Sequence, residues 1–176
     1  MRPDRGLSRD EEFATLLAML AAPVVQARRS APSPLAHTHD PRAGEPLLQS
    51  LRDPDVKVRA SSALALGILG DDRALPALVQ AIGDEQASVR QMAIVALGWI
   101  GDPRAVEPLT GALGDPEPHA RGSACLALGQ IGDAAAVPAL RPLADDPDPD
   151  VRENALWALR ELGAVGTSEE GETSDD

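Results

Sequence analysis

The sequence predicts an all-α fold, a right-handed α-α superhelix built from helix pairs. Three observations carry that expectation. The first is an internal period. Val58-Arg59 returns as Val89-Arg90, Ala120-Arg121 and Val151-Arg152, and the step from copy to copy is constant. Ala65-Leu66, Asp53, Leu47 and Gly70 recur at the same step without an insertion, the signature of a repeat architecture. The second is composition. The chain is 43% hydrophobic but only 2% aromatic, with no Tyr, so Ala, Leu, Gly and Pro must fill the core. Sheets lean on aromatic and β-branched residues, and small-residue helices do not. The third is punctuation: a Gly at 70, 101, 132 and 163 closes each run of helical periodicity.

Taken in order, residues 1–44 read as an N-terminal helix and a degenerate first repeat. Ser8 and Glu11 have the spacing of a capping box for a helix through about residue 22. Leu16 and Leu20 lie one period before Leu47 and Leu51, and Asp40 to Leu47 nearly copies Asp102 to Leu109. Pro32 and Pro34 are expected to break the second helix of this repeat, leaving 23–44 partly irregular. A secretory signal is the rival reading, since Phe13 to Val25 is apolar and Val25-Gln26-Ala27 resembles a cleavage site. Asp10, Glu11 and Glu12 stand where such a signal needs basic residues, so a cytoplasmic location is expected.

Residues 45–163 form the regular array. Helix B is clearest at 87–100 and ends at Gly101 in a left-handed cap. Asp102-Pro103 then starts helix A, which runs through Val106, Leu109 and Leu113. Pro108 should delay or distort its first turn. Gly114-Asp115-Pro116 turns the chain into the next helix B. Residues 164–176 are expected to be a disordered acidic tail, with five carboxylates from Thr167 onward.

At 100° per residue, Val89, Ala93, Ala96, Leu97 and Ile100 share one narrow stripe, the expected buried face. The motifs Val89-Arg90, Ala96-Leu97-Gly98, Ile100-Gly101-Asp102 and Arg104 to Leu109 resemble HEAT-like repeats of the phycobilisome-lyase type. The resemblance spans residues 45–163. It implies an α-solenoid whose B helices line a concave surface. It also implies, as one function, a lyase-like or chaperone-like role in attaching a bilin to a protein. Arg160 departs from the pattern, standing where Gly67, Gly98 and Gly129 stand in earlier copies. With Glu161 it suits a polar end cap.

Little in the chain asks for catalysis. Deoxyhypusine hydroxylases of this repeat class hold iron through His-Glu pairs, and no His-Glu dipeptide occurs here. His37-Thr38-His39 offers two metal ligands without a third, and His119 stands apart. Cys125 falls at a helix-packing position and is the chain's single Cys, which excludes a disulfide framework. Ser61, Ser62 and Ser123 lack a His-acid partner in the pattern. No enzyme, cofactor or metal site is therefore expected. Arg59, Arg90, Arg121 and Arg152 read either as an anion ladder or as structural ties to loop acids such as Asp84, Asp102, Asp115 and Asp133. The period they share with Asp71, Asp102 and Asp133 favours the structural reading.

The expected function sits on a second stripe, whose residues vary from repeat to repeat. It carries Leu64, Ile68, Gln91, Met92, Val95, Trp99, Ser123, Leu126, Gln130 and Trp157, and both tryptophans of the chain lie on it. Apolar anchors among polar neighbours suit a protein-binding groove, while burial against neighbouring helices is the alternative. Asp150, Glu153 and Glu161 add a preference for a partner with a basic group. The expectation is thus a monomeric, non-catalytic module of about 45 Å that binds a protein or peptide. A net charge of −12 argues against nucleic acid, and no apolar run is long enough to span a membrane.

Overall fold

A computed structural model describes residues 7–164. Every regular element among them is helical. The chain divides into two compact units, Met1–Ile100 and Gly101–Asp176. The acidic tail expected after residue 164 lies outside the described residues.

The first unit opens with α1 (Arg9–Leu20). Its capping box is complete: the Ser8 N–H donates to Glu11 Oε2 at 2.8 Å, and the Glu11 N–H donates to Ser8 Oγ at 3.3 Å. Next come α2 (Val25–Ser30) and α3 (Pro32–His37), so the segment expected to be irregular is largely helical. Pro32 does break the helix at Ala31. It then occupies the first position of α3, with Pro34 still in the first turn, where a missing N–H is not needed. Together α2 and α3 are a broken helix B: Leu35, one period before Leu66, is fully buried as Leu66 is.

Regular helix pairs follow the broken one, two in each unit. In the first unit, helices A are α4 (Gly44–Ser50) and α6 (Leu75–Ala81), and helices B are α5 (Val56–Leu69) and α7 (Ala87–Ile100). Each helix A is preceded by a 3-10 turn, Pro41–Ala43 or Asp72–Ala74. In the second unit the turn Pro103–Ala105 precedes α8 (Val106–Ala112), whose late start is the one Pro108 demands. Then come α9 (Pro118–Ile131), α10 (Val137–Leu140) between its 3-10 turns, and α11 (Pro149–Glu161). The leucines of the period, Leu47, Leu78, Leu109 and Leu140, are fully buried.

Helix B meets helix B through its small residues. Within the first unit α5 packs on α7, and within the second α9 packs on α11. A Cβ added to Gly67 would stand 2.6 Å from Ala96 Cα, closer than carbon atoms pack. At Gly129 it would stand 3.0 Å from Ala158 Cα and 2.6 Å from Trp157 Cζ3. Glycine is therefore required at these two places by the neighbouring helix. It is favoured at Gly70 and Gly132 for another reason, their left-handed φ of +67° and +78° at the ends of α5 and α9.

One seam position departs from its register. Ser62 stands where Ala31, Ala93, Ala124 and Ala155 stand, and all five are fully buried. Its hydroxyl finds no hydrogen-bond partner among the described residues. A buried unpaired hydroxyl costs about 1–3 kcal/mol. Ser62→Ala is accordingly expected to stabilise the protein by about 1 kcal/mol, read as a rise in the urea midpoint. A fall would mean that the hydroxyl has a partner.

Candidate functional site

The two polar features of the array separate cleanly. The arginines of the period face the turns that precede the B helices. Arg59 Nε donates to Asp84 Oδ2 at 2.8 Å and Nη2 to Oδ1 at 3.0 Å. Its Nη1 donates to the carbonyls of Asp53 and Pro54 at 3.0 and 3.3 Å. One guanidinium thus ties the turn before its own helix to the turn before the next. In the second unit Arg121 repeats this with Asp146, at 2.8 Å for both nitrogens, and with the carbonyls of Asp115 and Pro116. Arg90 donates to the Asp84 and Glu85 carbonyls, and Arg152 to those of Asp146 and Pro147. The broken first repeat has the same tie: Arg28 reaches Asp53 at 2.7 Å. Arg28 stands one period before Arg59, a signal already present in the sequence.

Of the acids expected to receive these arginines, Asp84 does so. Asp102 and Asp133 have a different task, as does Asp71. Each follows a cap glycine by one residue, and its carboxylate turns back onto the N–H two residues on, capping a 3-10 turn. Asp71 and Asp102 also pair with their local Arg73 and Arg104. With Asp84 and the turn carbonyls occupying it, the Arg59 guanidinium, its side chain 11% exposed, is committed to architecture and has no room for an anion.

These pairs hold the carboxyls below their ordinary range. For Asp146 the Arg121 hydrogen bond is the main cause. For Asp84, burial pushes upward, but Arg59 and the Gln86 N–H together outweigh it. Asp55, held by Arg29 and by the N–H groups that it caps, sits at about 2. A carboxyl that is more acidic when folded stabilises the fold above its unfolded pKa of about 4. That contribution disappears as the pH falls through the folded value.

The second stripe points elsewhere. Trp99 and Gln130 are exposed, and Leu64, Ile68, Gln91, Met92, Val95, Ser123, Leu126 and Trp157 are half-buried. None of the ten is fully buried, whereas Val89, Ala93, Ala96 and Leu97 on the neighbouring stripe are; Ile100, expected with them, is half-buried at the helix end. Trp99 is 49% exposed at the end of α7, following Met92 and Val95 at helical spacing. Trp157 is held differently, against Gly129 on the adjacent helix.

The remaining candidates resolve into packing or surface. Cys125 is buried, and burial pushes its thiol up to about 12, far from a reactive thiolate. His37 shares its Nδ1 with the Ser33 carbonyl at 2.7 Å and is exposed. His39 adopts a φ of +51°, at the register position of the cap glycines. Both line a cleft of about 1050 Å³ between α1 and α3, beside Arg42, which stacks 4.5 Å from the Phe13 ring centroid. No group of three His, Cys, Asp or Glu among the described residues is placed to hold a metal ion. No helix among them is long and apolar enough to cross a membrane.

The family model for HEAT repeats matches residues 13–89, 44–121 and 112–170. The chain belongs to the HEAT-repeat family. A search of curated proteins finds no match. Among solved structures, this HEAT-repeat chain is similar to the complex of CpcE and CpcF of phycocyanin lyase from Nostoc sp. The TM-score is 0.78 at 24% identity, covering 92% of this chain and 68% of that one. A designed armadillo repeat protein in complex with a (KR)4 peptide matches with a TM-score of 0.69 at 20% identity, covering 84% and 80%. An engineered protein matches with a TM-score of 0.67 at 21% identity, covering 86% and 79%. These likenesses give the fold class, an α-solenoid.

The arginine ties predict acid sensitivity. The urea midpoint should hold steady down to about pH 5 and fall between about pH 4 and 2, where the unfolded chain binds protons the folded one refuses. Asp84→Asn should lower stability at pH 7 by about 1–3 kcal/mol, because it strands Arg59. It should also flatten part of the acid slope. An unchanged slope in that variant would remove the Arg59 pair from the account.

Proposed function

We propose that this HEAT-repeat protein is a non-catalytic interaction module that holds a protein or peptide on the outward stripe of its B helices. The observation that carries the reading is Trp99. An indole 49% exposed, on a helix that buries Val89, Ala93, Ala96 and Leu97 on its neighbouring stripe, offers half of its surface to a partner. Large aromatic anchors beside aliphatic ones, here Met92 and Val95, supply most of the energy in protein interfaces. Leu64, Ile68 and Gln91 stand on the same stripe in the first unit, half-buried. In the second unit Ser123, Leu126, Gln130 and Trp157 hold the corresponding positions. A stiff helical face loses little entropy on binding. The armadillo protein in complex with its peptide is a precedent for the fold in this role.

A second reading follows from the similarity to the phycocyanin lyase complex: an accessory role in attaching a bilin to a protein. In that reading an exposed indole stacks on the conjugated ring. Added bilin would then change its absorption spectrum on mixing with the protein, and an unchanged spectrum removes this reading.

Trp99→Glu separates binding from folding. It should leave the melting temperature within about 2 °C, as surface changes do, and lose the protein partner that the wild type retains on affinity capture. Equal retention by both would move the binding site off this stripe. A variant that does not fold would make Trp99 a core residue and end the proposal.

A further inference from the structure

The last helix of the second unit carries an outward face of different chemistry. At 100° per residue, Glu153, Trp157, Asp150 and Glu161 fall within a sector of about 80° on α11. The three carboxylates are exposed, and they form no ion pair among the described residues. Trp157 is half-buried. The six-membered end of its indole lies where a Gly129 side chain would be, so the ring is held in place by the adjacent helix. Asn154 is seated in the same way beside Gly122.

The cations nearby do not neutralise this face. Arg152 is turned toward the Asp146 and Pro147 carbonyls, at 2.7 and 3.0 Å. Arg160 is exposed at the edge of the sector and offsets one of the three charges. The wider protein adds to the field, with a net charge of −12.

We propose that this face takes a basic segment of the partner protein, with one Arg or Lys side chain lying over Trp157 and its charged head between Glu153 and Glu161. A fixed indole attracts a cation to its ring, and carboxylates four residues to either side on the helix are within reach of the same head group. The acidic face and the cationic side chain are complementary, which fixes orientation and speeds encounter. The proposal rests on the interaction-module reading and specifies the partner's chemistry at one point of the stripe. It sets this face apart from that around Trp99, where the neighbours are Met92, Val95 and Gln91 and an apolar anchor is called for.

The test uses the full chain and its two indole N–H signals in NMR spectra, assigned with Trp99→Phe. The probe is a peptide of alternating lysine and arginine. The Trp157 signal should shift to saturation, and added salt should weaken the binding. Glu153→Gln with Glu161→Gln should weaken it about tenfold, since two exposed charge contacts are lost. A control peptide with glutamine at every position should leave the signal in place. A stationary Trp157 signal, or equal affinity in the double variant, overturns the proposal. A shift confined to Trp99 also overturns it, while leaving the interaction module standing. Retention of the natural partner by Trp99→Glu would instead count against the module reading itself.

Discussion

The contact of one B helix with the next, backbone on backbone, is the constraint from which the rest of each unit follows. At Gly67 and Gly129 the neighbouring Ala Cα occupies the space a side chain would need. Such an approach admits only small residues along the seam, which is why Ala65, Ala96, Ala127 and Ala158 recur there. It also leaves little apolar area per residue, and the chain has only 2% aromatic residues with which to compensate. The leucines inside each pair and the arginine ties across the turns supply what the seam cannot. A guanidinium that bonds two carbonyls and a carboxylate together satisfies groups that a tight turn would otherwise leave unpaired.

The same constraint leaves the proposed binding residues outside the seam. A seam of Gly, Ala and one buried Ser offers no side chain for recognition, and arginines engaged in the turns do not either. What remains free to vary is the stripe one-third of a turn away, and there the two tryptophans lie. The α11 helix shows the rule from the other side. On α11 the seam position holds Arg160, exposed, where Gly129 is covered by the adjacent helix. Charge stands in place of glycine where the position is open.

Much of this was legible in the sequence because a repeat states each rule several times. The period, the cap glycines, the late start of helix A behind Pro108 and the small-residue seam all follow from residues that recur. What was not legible occurs once or depends on partner choice. Pro32 marks the break in the first helix B, but whether the chain restarts as helix turns on both prolines falling in one first turn. Asp84 and Asp102 look alike, since each recurs with the same period. Only three-dimensional position makes the first an arginine partner and the second a local cap. Arg28 could have been found by stepping the arginine register back once. On the outward stripe, residue types singled out Trp99 and Trp157 equally. Their difference, one open and one resting on Gly129, is a matter of packing that no single position encodes.

The claim at the centre of this account is that Gly67 is glycine because of Ala96. The most direct measurement is the sign of the stability change in Gly67→Ala, set against Gly111→Ala. In an exposed helix interior, glycine to alanine stabilises by about 0.5–1 kcal/mol. Gly111 is exposed in α8 with nothing within 4 Å of an added Cβ, so its variant should gain. Gly67→Ala should instead lose about 1–3 kcal/mol, the usual cost of overpacking. A gain at both positions would show that the helices have room to spare, and the seam would no longer explain the fold.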